Sequence, residues 1–188
     1  MVLTYYGLTC FKVQSGEDVL AIDPYGKKSD MTPPRFEAHV VLFSNSDYAR
    51  NHSIAGSPLV FSTPGEYEAR NISIVGFETP EGTVFFIDWE GLKLLHLGDV
   101  TKVASLEAIL EELDTIDILI ISSAGSNAEI KKILEDIDPR IVIPTQGAAG
   151  KKISLDAFGG KPEKMDRLTI KKKGLPTEGR MLAILSSP

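Results

Sequence analysis

The chain has 188 residues, of which 43% are apolar and 24% charged, the composition of a folded globular protein and enough for one domain (1–188) with a sizeable core. A formal net charge of −6 argues against nucleic acid as a partner, because an acidic surface repels phosphates. The longest apolar runs, such as Val40-Val41-Leu42-Phe43 and Ile118-Leu119-Ile120-Ile121, are too short to cross a bilayer, so no membrane role is expected. Met1-Val2-Leu3-Thr4 lacks the basic start of a secretory leader, and the lone Cys10 cannot form an internal disulfide. These features predict a cytoplasmic protein in which Cys10 is a buried small hydrophobe.

The first 22 residues read as a β-meander. Val2 to Tyr6, Cys10 to Gln14 and Val19 to Ile22 are strand-like, with turn residues Gly7-Leu8 and Ser15-Gly16-Glu17-Asp18 between them. Asp23-Pro24 ends the third strand. A buried strand follows at His39–Phe43, then short strands at Leu59 to Ser62, Ile72 to Phe77, Thr83 to Trp89 and Leu92 to Leu97, with Gly91 as a hairpin turn. The second half changes character. Ser105 to Leu113 spaces Leu106, Ile109, Leu110 and Leu113 along one helical face, and Asn127 is placed to cap a second helix running through Ile137. Ile116 to Ile121 and Ile141–Ile143 are buried strands, and Arg167–Lys171 and Met181–Leu185 are late ones. Lys171-Lys172-Lys173 reads as a solvated hairpin end. A meander followed by strand–helix–strand units predicts sheets packed together with helices outside, an α/β or α+β fold.

Several familiar chemistries are absent. Gly147-Ala-Ala-Gly150-Lys151-Lys152 has the wrong glycine spacing for a phosphate loop and no Ser or Thr after the lysines. Ser122-Ser123-Ala124-Gly125-Ser126 is no nucleophile elbow. His39, His52 and His96 are scattered rather than set at metal-ligand spacing, and His39 and His96 read as packed or hydrogen-bonded histidines beside strands.

One ordered constellation carries more. Thr4-Tyr5-Tyr6-Gly7-Leu8-Thr9-Cys10-Phe11 with Leu20-Ala21-Ile22-Asp23-Pro24 is followed by Pro64-Gly65-Glu66-Tyr67-Glu68, His96-Leu97-Gly98-Asp99 and Ile141-Val142-Ile143-Pro144. Taken together these resemble the metallo-β-lactamase superfamily, in its branch of β-lactamase-fold zinc-dependent hydrolases, over nearly the whole chain. The resemblance implies a four-layer αββα sandwich with the active site at one edge of the two sheets. It also implies where zinc ligands belong. The family's strand corresponding to Val40–Phe43 runs into His-x-His-x-Asp-His. Here those positions hold Asn45, Asp47, Ala49 and Arg50. The bridging aspartate is kept as Asp99, the last histidine is replaced by Gln146, and the loop Glu78-Thr79-Pro80-Glu81-Gly82 carries no histidine.

Two-metal hydrolysis needs imidazole and carboxylate ligands to hold the cations and generate hydroxide. Asn45, Asp47, Ala49, Arg50, Asp99 and Gln146 form a poor shell for zinc, and Arg50 brings a fixed positive charge expected to pair with Asp99 or Asp47. The expectation is therefore a remnant pocket with no catalytic residue and no metal cofactor, in a non-catalytic binding or structural protein. Its partner would be a small molecule or a protein, with homo-oligomerisation left open. The alternative is a hydrolase working in the same cleft with weak or altered metal dependence, using Asp47, Asp99 and His52 as acid–base groups. Oxygen ligands such as Asp47 and Asp99 would then suit a harder cation.

Overall fold

The computed structural model describes residues 1–26, 31–46, 53–147 and 153–187. Two mixed sheets face each other. The first has six strands in the order β13-β1-β2-β3-β4-β5: β1 (Val2–Gly7), β2 (Cys10–Ser15), β3 (Asp18–Ile22), β4 (Val40–Leu42), β5 (Leu59–Phe61) and β13 (Leu168–Thr169). The second has eight in the order β12-β14-β11-β10-β9-β8-β7-β6. These are β6 (Gly65–Ala69), β7 (Ile72–Thr79), β8 (Gly82–Trp89), β9 (Leu92–His96), β10 (Ile118–Ser122), β11 (Ile141–Thr145), β12 (Pro162–Met165) and β14 (Met181–Leu185). The meander segments pair antiparallel, whereas β3-β4-β5 and β9-β10-β11-β14-β12 run parallel.

Alternation within the strands sets the layers. Leu20 and Ile22 of β3, Val40 and Leu42 of β4, Leu94 of β9, Ile118 and Ile120 of β10, and Ile141 and Ile143 of β11 fill the space between the sheets. Leu95, Leu119, Ile121 and Val142 face the opposite way and pack under helices α1 (Glu107–Glu112) and α2 (Asn127–Ile137). Each such side chain taken fully from water contributes about 1.5–3 kcal/mol. On the outer face of the six-stranded sheet, Val19, Ala21, Val41 and Phe43 are covered by Ala38, Ile54 and Phe36. Among the described residues that outer layer is irregular chain, and both α-helices lie on the eight-stranded sheet. Cys10 is fully buried, as its setting predicts.

The structure shifts some boundaries. The first helix is shorter than Ser105 to Leu113 because a 3-10 turn, Val103–Ser105, precedes it. Ser126, not Asn127, caps α2, its hydroxyl accepting from Glu129 N at 3.2 Å. β6 and β12 are mostly exposed edge strands, so they lack the apolar alternation that reveals half-buried ones. The late strand around Leu168 is only two residues long. Lys172–Gly174 is a 3-10 turn rather than a hairpin end; Lys171 and Lys173 are exposed, and so is Lys172, which also carries an ion pair. Its ammonium sits 2.7 Å and 2.9 Å from the two carboxylate oxygens of buried Asp117. No helix is long and apolar enough to cross a membrane among the described residues.

Candidate functional site

Parallel strands all point their carboxyl ends to one rim, the usual place for a site in such sheets. At that rim β3, β4, β9, β10 and β11 end in Asp23, Ser44, His96–Asp99, Ser122 and Gln146–Gly147, and the β1–β2 turn brings Leu8 and Thr9.

Beneath the rim lies a buried polar knot. Asp23 turns out of β3 with φ 46°, a left-handed conformation that Asp tolerates better than most residues. Its carboxylate accepts from Ser44 N and Ser44 Oγ, both at 2.6 Å. The Thr9 side chain also favours its charged form. Gly98 N donates to His96 Nδ1 at 3.2 Å, which leaves the proton on Nε2 to be donated to Thr9 O, also at 3.2 Å. His96 Nε2 stands 3.9 Å from Asp23 Oδ2. Burial raises the Asp23 carboxyl above its ordinary pKa, against the pull of His96, of the Ser44 donors and of Thr9. Burial likewise lowers His96, with Asp23 acting the other way.

Ser44 also ties the two sheets together. Thr83 N at the start of β8 donates to Ser44 O at 2.7 Å. A Cβ on Gly82 (φ 141°) would overlap that carbonyl, and one on Gly98 (φ 57°) would come within 2.7 Å of Ser44 Oγ. Only glycine fits at either place. The segment Glu78-Thr79-Pro80-Glu81-Gly82, read as a loop without histidine, is a tight hairpin turn, with Thr79 paired to Gly82 and Thr79 Oγ1 donating to Gly82 O at 2.7 Å.

A second arrangement forms the wall of the rim. Tyr5 donates its hydroxyl proton to Leu8 O at 2.8 Å and accepts from Gln146 N at 3.1 Å. Burial drives the phenol pKa upward, and the bond from the Gln146 backbone opposes that. Leu8 N donates to Gln146 Oε1 at 3.3 Å, with Tyr5 Oη 3.5 Å from the same oxygen. The next residue, Gly147, runs so close to its neighbours that a Cβ would stand 2.5 Å from Ser122 Oγ and 3.3 Å from Asp99 Oδ1.

Of the remnant positions, Asp99, Gln146 and Asn45 all lie at this rim, Asn45 directly after Ser44. Asp47, Ala49 and Arg50 lie outside the described residues, as does His52, and with them the expected pairing of Arg50 with Asp99 or Asp47. Sequence reasoning did not single out Tyr5 or Ser44 as rim residues. A polar residue closing an apolar strand, as Ser44 closes Val40–Phe43, is the signal that could have found one of them.

The donor set among the described residues does not suit the zinc that the fold family implies. Among the described residues no three His, Cys, Asp or Glu side chains gather as a metal site. Gln146 Oε1, the oxygen that could ligate, is turned into the wall and taken by Leu8 N. His96 faces the knot, with its lone pair occupied by Gly98 N.

Residues 2–146 match the family described as Beta-lactamase superfamily domain. The chain belongs to this superfamily, and its α/β sandwich is the metallo-β-lactamase fold. Solved structures agree. A protein from Thermotoga maritima, described as a zinc-dependent hydrolase of the metallo-β-lactamase superfamily, is 26% identical with a TM-score of 0.82, over 99% of this chain and 100% of that one. A Parabacteroides distasonis protein described as a metal-dependent hydrolase is 14% identical with a TM-score of 0.62, over 97% and 91% of the two chains. A metallo-β-lactamase fold protein from Bacillus subtilis is 12% identical with a TM-score of 0.57, over 99% and 97%. No curated protein matches the chain.

Proposed function

We propose that this chain is a degenerate metallo-β-lactamase-fold protein that has lost its zinc ligands and serves as a non-catalytic binding or structural protein of the cytoplasm. The observation that supports this most is the use made of Gln146. At the position where the family places a metal-ligating histidine, the side-chain oxygen instead ties the wall to Leu8 N at 3.3 Å. A group committed to a protein hydrogen bond is a poor ligand, and a neutral amide is a poor donor to zinc in any case. The partner is a small molecule or another protein that uses the rim.

A second reading, a hydrolase with weak or altered metal dependence, draws on the retention of Asp99, half-buried at the same rim. Likeness to the Thermotoga maritima protein, described as a zinc-dependent hydrolase, favours it too. Elemental analysis of the purified protein separates the two. Well under one zinc per chain, with a melting temperature indifferent to chelator, is expected. Stoichiometric zinc whose removal lowers the melting temperature would overturn the first reading and leave the second.

A further inference from the structure

The outer face of the six-stranded sheet is covered unevenly. Over β3 and β4 its apolar side chains lie under Phe36, Ala38 and Ile54. Over β1 and β2 the outward positions are Thr4, Tyr6, Lys12 and Gln14, all partly exposed, and they floor a groove of about 620 Å³ that Asp166 and Arg167 flank. The groove runs toward Val2 and Gln14, the ends of these strands away from the rim. Strand pairing sets its side chains in a row. Thr4 stands opposite Lys12, and the Val2–Thr169 and Leu3–Leu168 pairs, continued by one residue, put Arg167 opposite Thr4 on its other side. Leu168 points into the core, so Arg167 beside it takes the outward face. Two cations thus flank one hydroxyl, their backbones about 10 Å apart across β13, β1 and β2.

Neither cation is spent on the protein. Among the described residues the ion pairs use other basic groups, and Asp166 lies beyond salt-bridge distance of both Lys12 and Arg167. Lys12 is nonetheless held in place. Its ammonium lies 5.5 Å from the centre of the Phe36 ring, which packs against Tyr6 with ring centres 5.2 Å apart. Arg167, exposed on the other flank, offers a planar fork of donors. A net charge of −6 repels anions at a distance, so any attraction here is local. A carboxylate would answer only one of the two cations. A phosphate dianion answers both, and its tetrahedral oxygens can accept from Lys12 on one side, Arg167 on the other and the Thr4 hydroxyl beneath. We propose that this groove binds a phosphate dianion, as the free ion or as a small monoester. Asp166 opposes the anion as a like charge and tempers the affinity.

Backbone amide spectroscopy on ¹⁵N-labelled protein tests this at about pH 8, where phosphate and its monoesters are dianions. Inorganic phosphate and glycerol phosphate are titrated separately, with acetate and glycerol as controls. Both phosphates should shift the Thr4, Lys12 and Arg167 amides saturably, while the controls leave them in place. Glycerol phosphate binding tighter than inorganic phosphate would support a monoester as occupant, and equal affinity the free ion. Arg167→Gln, an exposed change that leaves the sheet intact, should weaken binding about tenfold, and Lys12→Gln by as much. Asp166→Asn should tighten it, because a like charge leaves the groove. No saturable shift with either phosphate, an equal response to acetate, or undiminished binding by Arg167→Gln would each overturn the proposal. The outcome does not depend on the rim: zinc content decides the functional reading, whereas these titrations decide only the groove.

Discussion

The polar knot under the rim and the wall above it are built from the same kinds of group yet are constrained differently. Asp23 and His96 are shut away from water, at 3% and 0% exposure, and their donors and acceptors are met inside the protein. Gln146 and Asp99 remain partly exposed, so solvent can replace any partner they lose. A buried polar group without partners costs the full loss of its hydration, which ties the knot to folding. The wall carries no such obligation. A change at position 146 is therefore expected to cost the fold little and a change at position 23 considerably more. That difference explains how a chain can keep the fold of its superfamily while its metal positions hold other residues.

The sharpest test of the contrast is Asp23→Ala. It strands Ser44 N and removes the acceptor of the Ser44 hydroxyl, and should cost about 3 kcal/mol in urea unfolding. A loss under about 1 kcal/mol would show that the knot is no more essential than the wall. Asp117 extends the comparison to the opposite end of β10. It is buried like Asp23 but answered by an ammonium, that of Lys172, and by Lys93 N at 2.8 Å. Lys172→Met should cost about 2 kcal/mol, less than a fully enclosed pair would, because the Lys172 side chain is 52% exposed.

A pH series reads the knot from another side. His96 titrates below the ordinary 6.5 when folded, so the unfolded chain takes up the proton first. Its contribution to stability is whole above pH 6.5 and is lost as pH falls through the folded value. Asp23 runs the other way. Its folded pKa lies above 3.8, so its contribution is whole below pH 3.8 and is lost as pH rises through the folded value. Replacing His96 with Gln removes only the first slope. The stability gap between parent and variant should then narrow below pH 6.5 by up to about 1.4 kcal/mol per pH unit. A constant gap across that range would mean that His96 is not held neutral. The smallest effect belongs to the wall, where Gln146→Ala should cost under about 1 kcal/mol because water can satisfy Leu8 N in its place.

Much of the fold was legible because its strands alternate or run continuously apolar. β1, β2, β3, β10 and β11 lie within a residue or two of where apolar spacing puts them, and β14 and α2 fall at the predicted residues. β6 and β12 were missed since edge strands facing solvent carry no apolar period. The first helix ran too long because Leu106 and Leu113 keep helical spacing although the chain there is a turn or extended. At the site, sequence order and the pieces resembling the superfamily located Asn45, Asp99 and Gln146. They did not disclose that Gln146 is a strut between Tyr5 and Leu8.

By itself the sequence determined the fold class, the burial of Cys10, and the identity of the groups at the remnant metal positions, because apolar period and residue chemistry are local properties. Only the tertiary structure decided which way those groups point. The pairing of Leu8 N with Gln146 Oε1 joins residues 138 apart in the chain, and Asp23 with Ser44 joins residues 21 apart. A hydrogen bond fixes orientation only once both partners are in place, and here the two packed sheets place them.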